Sequence, residues 1–390
     1  MRIISELKKR KNSKNDVTAV VGVEIRNRRI SLQRTLLSVS DKICSVSYLC
    51  KLENNKIAAN FLYVRELCNR VDLSEDKIDA LFNLKNALIN VSKCYFKHDY
   101  DSIKKAIDEG KGLNNYRYQI IQLIYYLSVS DLYNALTLYK SIIKLVSTLT
   151  DFDLNILCLF SGILLYFQSS FIESIDVLNA VGHQEIIELE LLRKQFIFYN
   201  SIALEDKEAT LIYQNLILEI NKFGQFFLLD EINYNMAIFA VKSNIYFKDR
   251  YIDLIVDYKL KNSVKFLDAH INKDNKALKG FSKGSLNESC IFLKKLLYKK
   301  DKEKPELDKK IATYYHYDFS FEYLQYYLID DIEEKINYII DIIIPLVKRT
   351  KEAWLGRHFL KELVDLTMET FKYKQFTFAF AELMDILWKK

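Results

Sequence analysis

Between Ser45 and Lys56 the chain reads SVSYLCKLENNK, which sets Ser45, Ser47 and Tyr48 beside Lys51, Asn55 and Lys56. Hydroxyl, amide and ammonium groups at this density suit phosphate oxygens and base edges, and Val46 offers an apolar contact for a thymine methyl. Helical spacing sorts them. Ser45 is a good N-cap, Val46 and Ser47 fall in the first turn, and Tyr48 and Lys51 follow one turn on. Leu49 and Leu52 take the opposite face, and Asn54-Asn55 ends the helix because Asn tolerates the left-handed conformation. Each contact has a plainer counterpart: Tyr48 as a half-buried ring, Lys51 as a solvated charge. No other stretch offers a comparable set. The histidines His98, His183, His270, His316 and His358 are scattered, no phosphate-cradling glycine loop occurs, and neighbouring carboxylates such as Asp330-Asp331 and Glu333-Glu334 face different sides of a helix. Neither catalysis, a cofactor nor a metal is expected.

Four short helices must position this set. The pattern predicts a first helix over about Val21–Ser31 and a second, capped by Thr35, through Lys42 with Val39 and Ile43 on its inner face. A third runs from Ser45 to about Glu53, and a fourth from Asn60 through Asn69. Two short helices meeting at a tight turn have helix-turn-helix geometry, the second entering a DNA major groove N-terminus first. Thr35, at the start of the first of these two, joins the residues expected to face DNA. The short hydrogen-bonding side chains of Ser-Val-Ser imply that DNA shape or dimer spacing supplies much of the specificity.

Charge points the same way. Residues 1–75 hold 15 Lys or Arg against 8 Asp or Glu, a balance of +7, while the whole chain is +6. A small basic module on a neutral body suggests a polyanion-binding head. A lysine-rich tail that merely aids solubility is the competing reading.

The segment Val21–Asn55 resembles the xenobiotic-response-element type of helix-turn-helix, and especially that of the PlcR and Rgg peptide-pheromone receptors. GVEIRNRR opens the first helix, ICSVSYLCKLENNK spans turn and recognition helix, and the spacing between them is ungapped. The resemblance implies that Arg29 pairs with Glu53. It departs at Leu36, where a Gln often touches phosphate, and at Arg34, where an apolar residue is usual; Leu32 and Leu36 would fill that gap.

From about Leu73 the pattern is helical almost throughout, as the 9 Gly and 2 Pro among 390 residues allow. A long apolar helix, a short polar turn and a second helix recur. Aligning Tyr100, Leu132, Phe171, Ala209 and Tyr251 at the turn gives steps of 32, 39, 38 and 42 residues, which bracket the tetratricopeptide length of about 34. An unrelated helical bundle is the alternative. The polar stretch KDNKALKGFSKGSLNES and the charged run KKDKEKPELDKK read as exposed connections. Repeat arrays of this kind present a concave face suited to extended peptides. By the same resemblance Asn200 and Asn235, preceded by Tyr199 and Tyr234, stand where a pheromone receptor grips a peptide backbone; bonding between helices is the other reading.

The expectation is an all-α chain with a basic tail at 1–16, a helix-turn-helix domain at 17–73 and a tetratricopeptide-like solenoid at 74–390. Its expected partners are double-stranded DNA, a short oligopeptide and a second copy of itself. The rival readings keep the DNA-binding head on a protein-interaction scaffold, or turn the head into a docking module. No apolar run reaches the roughly 18 residues of a membrane span, and Lys8, Lys9, Arg10, Lys11 and Lys14 replace any signal-peptide core. The six cysteines form no CxxC pair, so reduced core thiols in a cytoplasmic protein are expected.

Overall fold

In the computed structural model, residues 3–5, 19–54, 56–57, 60–73, 75–110, 115–297, 321–350, 352–370 and 373–388 are described. Among them every regular element is helical, and no helix is long and apolar enough to cross a membrane. Contacts group the chain into two compact units, Met1–Gln168 with Ile172–Phe196, and Ser169–Phe171 with Ile197–Lys390.

The first unit begins with four helices, α1 (Ala19–Ser31), α2 (Leu36–Ser40), α3 (Val46–Glu53) and α4 (Phe61–Arg70). Val21, Ile25, Val39, Leu49, Leu52, Val64, Leu67 and Cys68 form a core of their own beneath them, with Leu32, Leu36 and Ile43 half-buried against it. Three side-chain caps set the helix starts: Thr35 accepts from Ser38 N (3.1 Å), Ser45 from Tyr48 N (3.1 Å) and Asn60 from Leu62 N (3.0 Å). Helix α2 is shorter than its sequence pattern. Asp41 N closes on Leu37 O, and Lys42 turns left-handed (φ 60°), which redirects the chain into α3 before the pattern runs out.

Among the described residues six helix pairs follow. In the first unit they are α5 (Glu75–Phe96) with α6 (Tyr100–Glu109), α7 (Tyr116–Ser128) with α8 (Leu132–Ile142), and α9 (Asp151–Phe167) with α10 (Phe171–Val181). Helix α11 (Ile187–Ala203) then pairs with α12 (Ala209–Phe223), α13 (Leu229–Lys242) with α14 (Lys248–Asp253), and α15 (Tyr258–Ile271) with α16 (Asn275–Gly280). Tyr100, Leu132, Phe171 and Ala209 each open the second helix of a pair, whereas Tyr251 lies inside α14. Within the first unit α7 packs on α5, α6, α8 and α9; within the second, α15 packs on α13, α14 and α16. Helices α7, α9 and α15 thus each pack on both helices of the pair before them. The KDNKALKG stretch is not a loop: Asp274 caps α16 by accepting from Lys276 N and Ala277 N. Helix α17 (Glu288–Leu297) follows. The charged run KKDKEKPELDKK, His316 and most of the basic tail lie outside the described residues. The second unit closes with α18 (Phe321–Tyr326), α19 (Ile332–Tyr338), α20 (Ile344–Thr350), α21 (Ala353–Thr370) and α22 (Tyr373–Trp388).

One turn chemistry repeats within the pairs. His98, Ser130, Ser169, Glu205, Asn244 and Lys273 all sit at φ between 52° and 59° just after a first helix. After His98, Ser130, Glu205, Asn244 and Lys273 the next N–H reaches back five residues, as in Asp99 N to Cys94 O and Asp131 N to Tyr126 O (both 2.9 Å), so orphan carbonyls of the first helix are met. In four turns the next residue is Asp, and Asp99 and Asp131 then cap the second helix. Glycine is the cheap occupant of this conformation, and an L residue there costs roughly 1–2 kcal/mol. Ser130→Gly should therefore raise the unfolding free energy by about 0.5–1 kcal/mol in urea titration, whereas Ser130→Val should lower it.

In the second unit a polar cluster is buried among α15, α18 and α21. His270 Nε2 and Tyr323 Oη lie 2.7 Å apart, and His358 Nε2 is 3.1 Å from both Tyr323 Oη and Tyr327 Oη. Burial, reinforced by Lys273, pushes His270 down to about 4; burial, His270 and Lys273 push His358 down to about 3. In the unfolded chain both titrate near 6.5, so below that pH the unfolded state takes up more protons and stability falls. Unfolding measured in urea should be flat above pH 7 and should lose about 2 kcal/mol per histidine by pH 5; equal stability at pH 7 and 5 would contradict this cluster.

Candidate nucleic-acid interface

Helix α3 buries one face and leaves the other bare. Leu49, Leu52 and Glu53 are buried, while Ser45, Val46, Ser47, Cys50 and Lys51 are exposed, Val46 by 38%. Thr35 at the start of α2 and Lys56 beyond α3 are exposed as well; Asn55 lies outside the described residues. Ser45 spends one oxygen lone pair on Tyr48 N, which leaves its hydroxyl proton and a second lone pair for a ligand. Tyr48 is half-buried, its ring edge-on to Tyr63 (5.4 Å between centroids) and its hydroxyl accepting from Asn60 N (2.8 Å). That phenol ties α3 to the start of α4. Cys50 departs from the expectation of reduced core thiols: it is exposed one turn after Val46 and Ser47, on the same stripe. By contrast, burial pushes the Cys68 thiol in the core up to about 12.

The opposite end of α3 is clamped to α1. Arg29 gives Glu53 a two-pronged contact, Nε to Oε1 at 2.7 Å and Nη2 to Oε2 at 2.8 Å, and a third bond to Arg34 O (3.1 Å). The carboxylate side chain is 3% exposed and the guanidinium 14%; hydrogen bonding to Glu53 raises the Arg29 pKa against the pull of burial. Arg26 Nη1 adds a bond to Asn54 Oδ1 (3.2 Å) at the same helix end. Gly22 allows the approach: a Cβ there would lie 2.2 Å from Leu52 O, a backbone atom that cannot yield cheaply.

Arginines outside the expected set brace α2. Arg70, on α4, donates to Ser38 O (3.2 Å) and Asp41 O (3.3 Å), answering the open carbonyl end of α2. Arg34 donates to Arg70 O and pairs with Asp72 (3.4 Å). An arginine at 34 in place of an apolar residue is thus a strut between α2 and α4. The signal available in sequence was only that an Arg stood where the pattern wanted a hydrophobe.

Tyr199, Asn200, Tyr234 and Asn235 lie on α11 and α13 and are buried, Asn200 and Tyr234 completely. Glu231 gathers two of them: Tyr199 Oη donates to its carboxylate (2.5 Å) and Asn235 Nδ2 to its carbonyl (3.0 Å). Tyr234 Oη accepts from Asn287 Nδ2 (2.9 Å).

The clamp gives a direct stability test. Glu53→Ala would leave Arg29 buried against an apolar face, and breaking a buried pair from one side costs about 3–5 kcal/mol. Chemical unfolding of the full chain followed through the head should show a loss near the lower figure; a change under 1 kcal/mol would mean that the pair is solvated.

No family model matches this chain. It is 24% identical over 150 residues to the transcriptional activator NprA of Geobacillus stearothermophilus, an alignment that spans 35% of this chain and 36% of that relative. The match thus covers about a third of the relative's length. Among solved structures the chain is similar to a crystal structure of Bacillus thuringiensis PlcR in complex with the peptide PapR7 and DNA. The TM-score is 0.35 at 14% identity, over 67% of this chain and 99% of that one, a likeness too loose to carry a structural argument. What stands from these comparisons is sequence similarity to a transcriptional activator.

Proposed function

We propose that the chain is a cytoplasmic, DNA-binding transcription regulator rather than an enzyme, acting as a homodimer. Residues 17–73 form a helix-turn-helix domain of the xenobiotic-response-element type, and residues 74–390 a tetratricopeptide-like array controlled by a short signalling peptide. The observation that carries this reading is α3: its stripe of Ser45, Val46, Ser47 and Lys51 is exposed while its C-terminal end is pinned by Arg29 and Gly22. A helix packed on one face, pinned at its C-terminal end and bare along the other face is what insertion into a major groove requires. Val46 and Ser47 would reach base edges; Thr35, Ser45, Tyr48, Lys51, Asn55 and Lys56 would position the backbone. Similarity to NprA, named as a transcriptional activator, supports the same class.

In this reading the peptide lies along α11 and α13, with Tyr199, Asn200, Tyr234 and Asn235 beneath it. The second reading, a protein-interaction scaffold on a DNA-binding head, draws on one observation: Tyr199, Tyr234 and Asn235 already have partners inside the unit. A selected peptide that alters DNA affinity separates the two.

The DNA reading is tested with the full chain on a duplex enriched from a random pool. Lys51→Ala together with Lys56→Ala should remove two phosphate contacts and flatten the slope of log affinity against log salt by about 0.9 per contact. An unchanged slope, or no enrichment of any duplex, would refute this docking.

A further inference from the structure

A shallow open pocket in the second unit lies where the ends of α11 and α13 meet the start of α21. Its floor is apolar, from Ile202, Ile238 and Phe239, and its rim is polar, with Lys242, Ser243 and Glu352 around the Trp354 ring. The rim is wired from below: Glu205 accepts from Trp354 N (2.6 Å) and pairs with Arg357 (3.3 Å), and Lys242 Nζ stands 4.3 Å over the indole. Two rim groups are held at a cost. Ser243 Oγ is buried without a hydrogen-bond partner among the described residues. Burial raises the Glu352 carboxyl above the usual range, with Lys242 offsetting part of that.

Buried polar groups are nearly always satisfied, so the unpartnered Ser243 hydroxyl, covered beside this pocket, marks a place where a partner belongs. The rim offers both an acceptor (Glu352) and donors (Lys242 and the Ser243 hydroxyl), over a floor that offers only apolar surface. That combination complements one residue of a peptide: an aliphatic side chain on the floor, its N–H to the carboxylate, its carbonyl to the ammonium or hydroxyl. A nucleotide or other polyanion would meet Glu352, and a free amine would leave the Lys242 side of the rim unmatched.

We infer that this pocket is the anchor subsite for an aliphatic residue of a peptide ligand, with Glu352, Lys242 and Ser243 reading the adjoining peptide units. The inference deepens the peptide-controlled reading and places the ligand's specificity at the ends of α11 and α13, one to two turns beyond Asn200 and Asn235.

Trp354 reports on the pocket directly. In a Trp388→Phe background it is the only indole, since the chain has two Trp, and its N–H resonance can be followed in the full-length protein. The probes are N-acetyl-leucine methylamide, N-acetyl-lysine methylamide and N-acetyl-glycine methylamide. The leucine compound should shift the signal saturably and bind about tenfold more tightly than the glycine compound, as burial of one aliphatic side chain implies. The lysine compound should resemble glycine. Ser243→Ala and Glu352→Gln, rim changes that leave the floor packed, should each weaken the leucine compound several-fold with the fold intact by circular dichroism. No saturable shift, equal binding of leucine and glycine, or indifference to both rim variants would overturn the inference. The broader reading fails separately: if the pocket binds leucine but no peptide selected on the protein changes its affinity for DNA, peptide control falls and the subsite stands.

Discussion

The contact between α1 and the C-terminal end of α3 is what the geometry of the head depends on. Gly22 lets the two backbones meet at a distance that any side chain would prevent, and Arg29 then closes over Glu53 with two parallel bonds. Neither half suffices alone. A bidentate guanidinium–carboxylate pair fixes an angle as well as a distance, but it reaches only because the glycine removes the steric obstacle. The outcome is directional: the buried end of α3 is locked, so its N-terminal stripe points outward in one orientation. Arg70 and Arg34 do the same for α2, by answering backbone carbonyls rather than by filling core volume.

The body solves a different problem with few glycines. Stacked helix pairs need a sharp reversal in each pair, and here that reversal is made by an L residue in the left-handed conformation, in four turns followed by Asp. The strain is local and is offset by a return hydrogen bond and an immediate cap for the next helix. Continuous packing then does the rest, as in the unbroken buried run of α13 from Ile232 to Val241.

Much of this was legible in the sequence, for identifiable reasons. Thr35, Ser45 and Asn60 announce helix starts because a short side-chain oxygen has one good use at that position, and all three cap as the pattern indicates. The Arg29–Glu53 pair followed from the family resemblance, not from spacing. The turn dipeptides at His98-Asp99, Ser130-Asp131, Glu205-Asp206 and Lys273-Asp274 were a usable repeat signal that an alignment on hydrophobic residues passed over. What periodicity could not reveal was the tertiary partner: that Tyr48 would reach forward to Asn60, that Arg34 would become a strut, or that Glu352 would close a pocket with α11 and α13. Those contacts join positions up to about 150 residues apart, and single-sequence patterns carry no information at that range.

The central claim is that the bare stripe of α3 is the surface that reads DNA. A photoreactive group placed at Ser47, in the middle of that stripe, tests it on the intact protein with a duplex enriched from a random pool. The account predicts cross-links confined to bases whose major-groove edges form the enriched motif. Undiminished DNA binding with cross-links absent, or scattered along the duplex without regard to the motif, would contradict it.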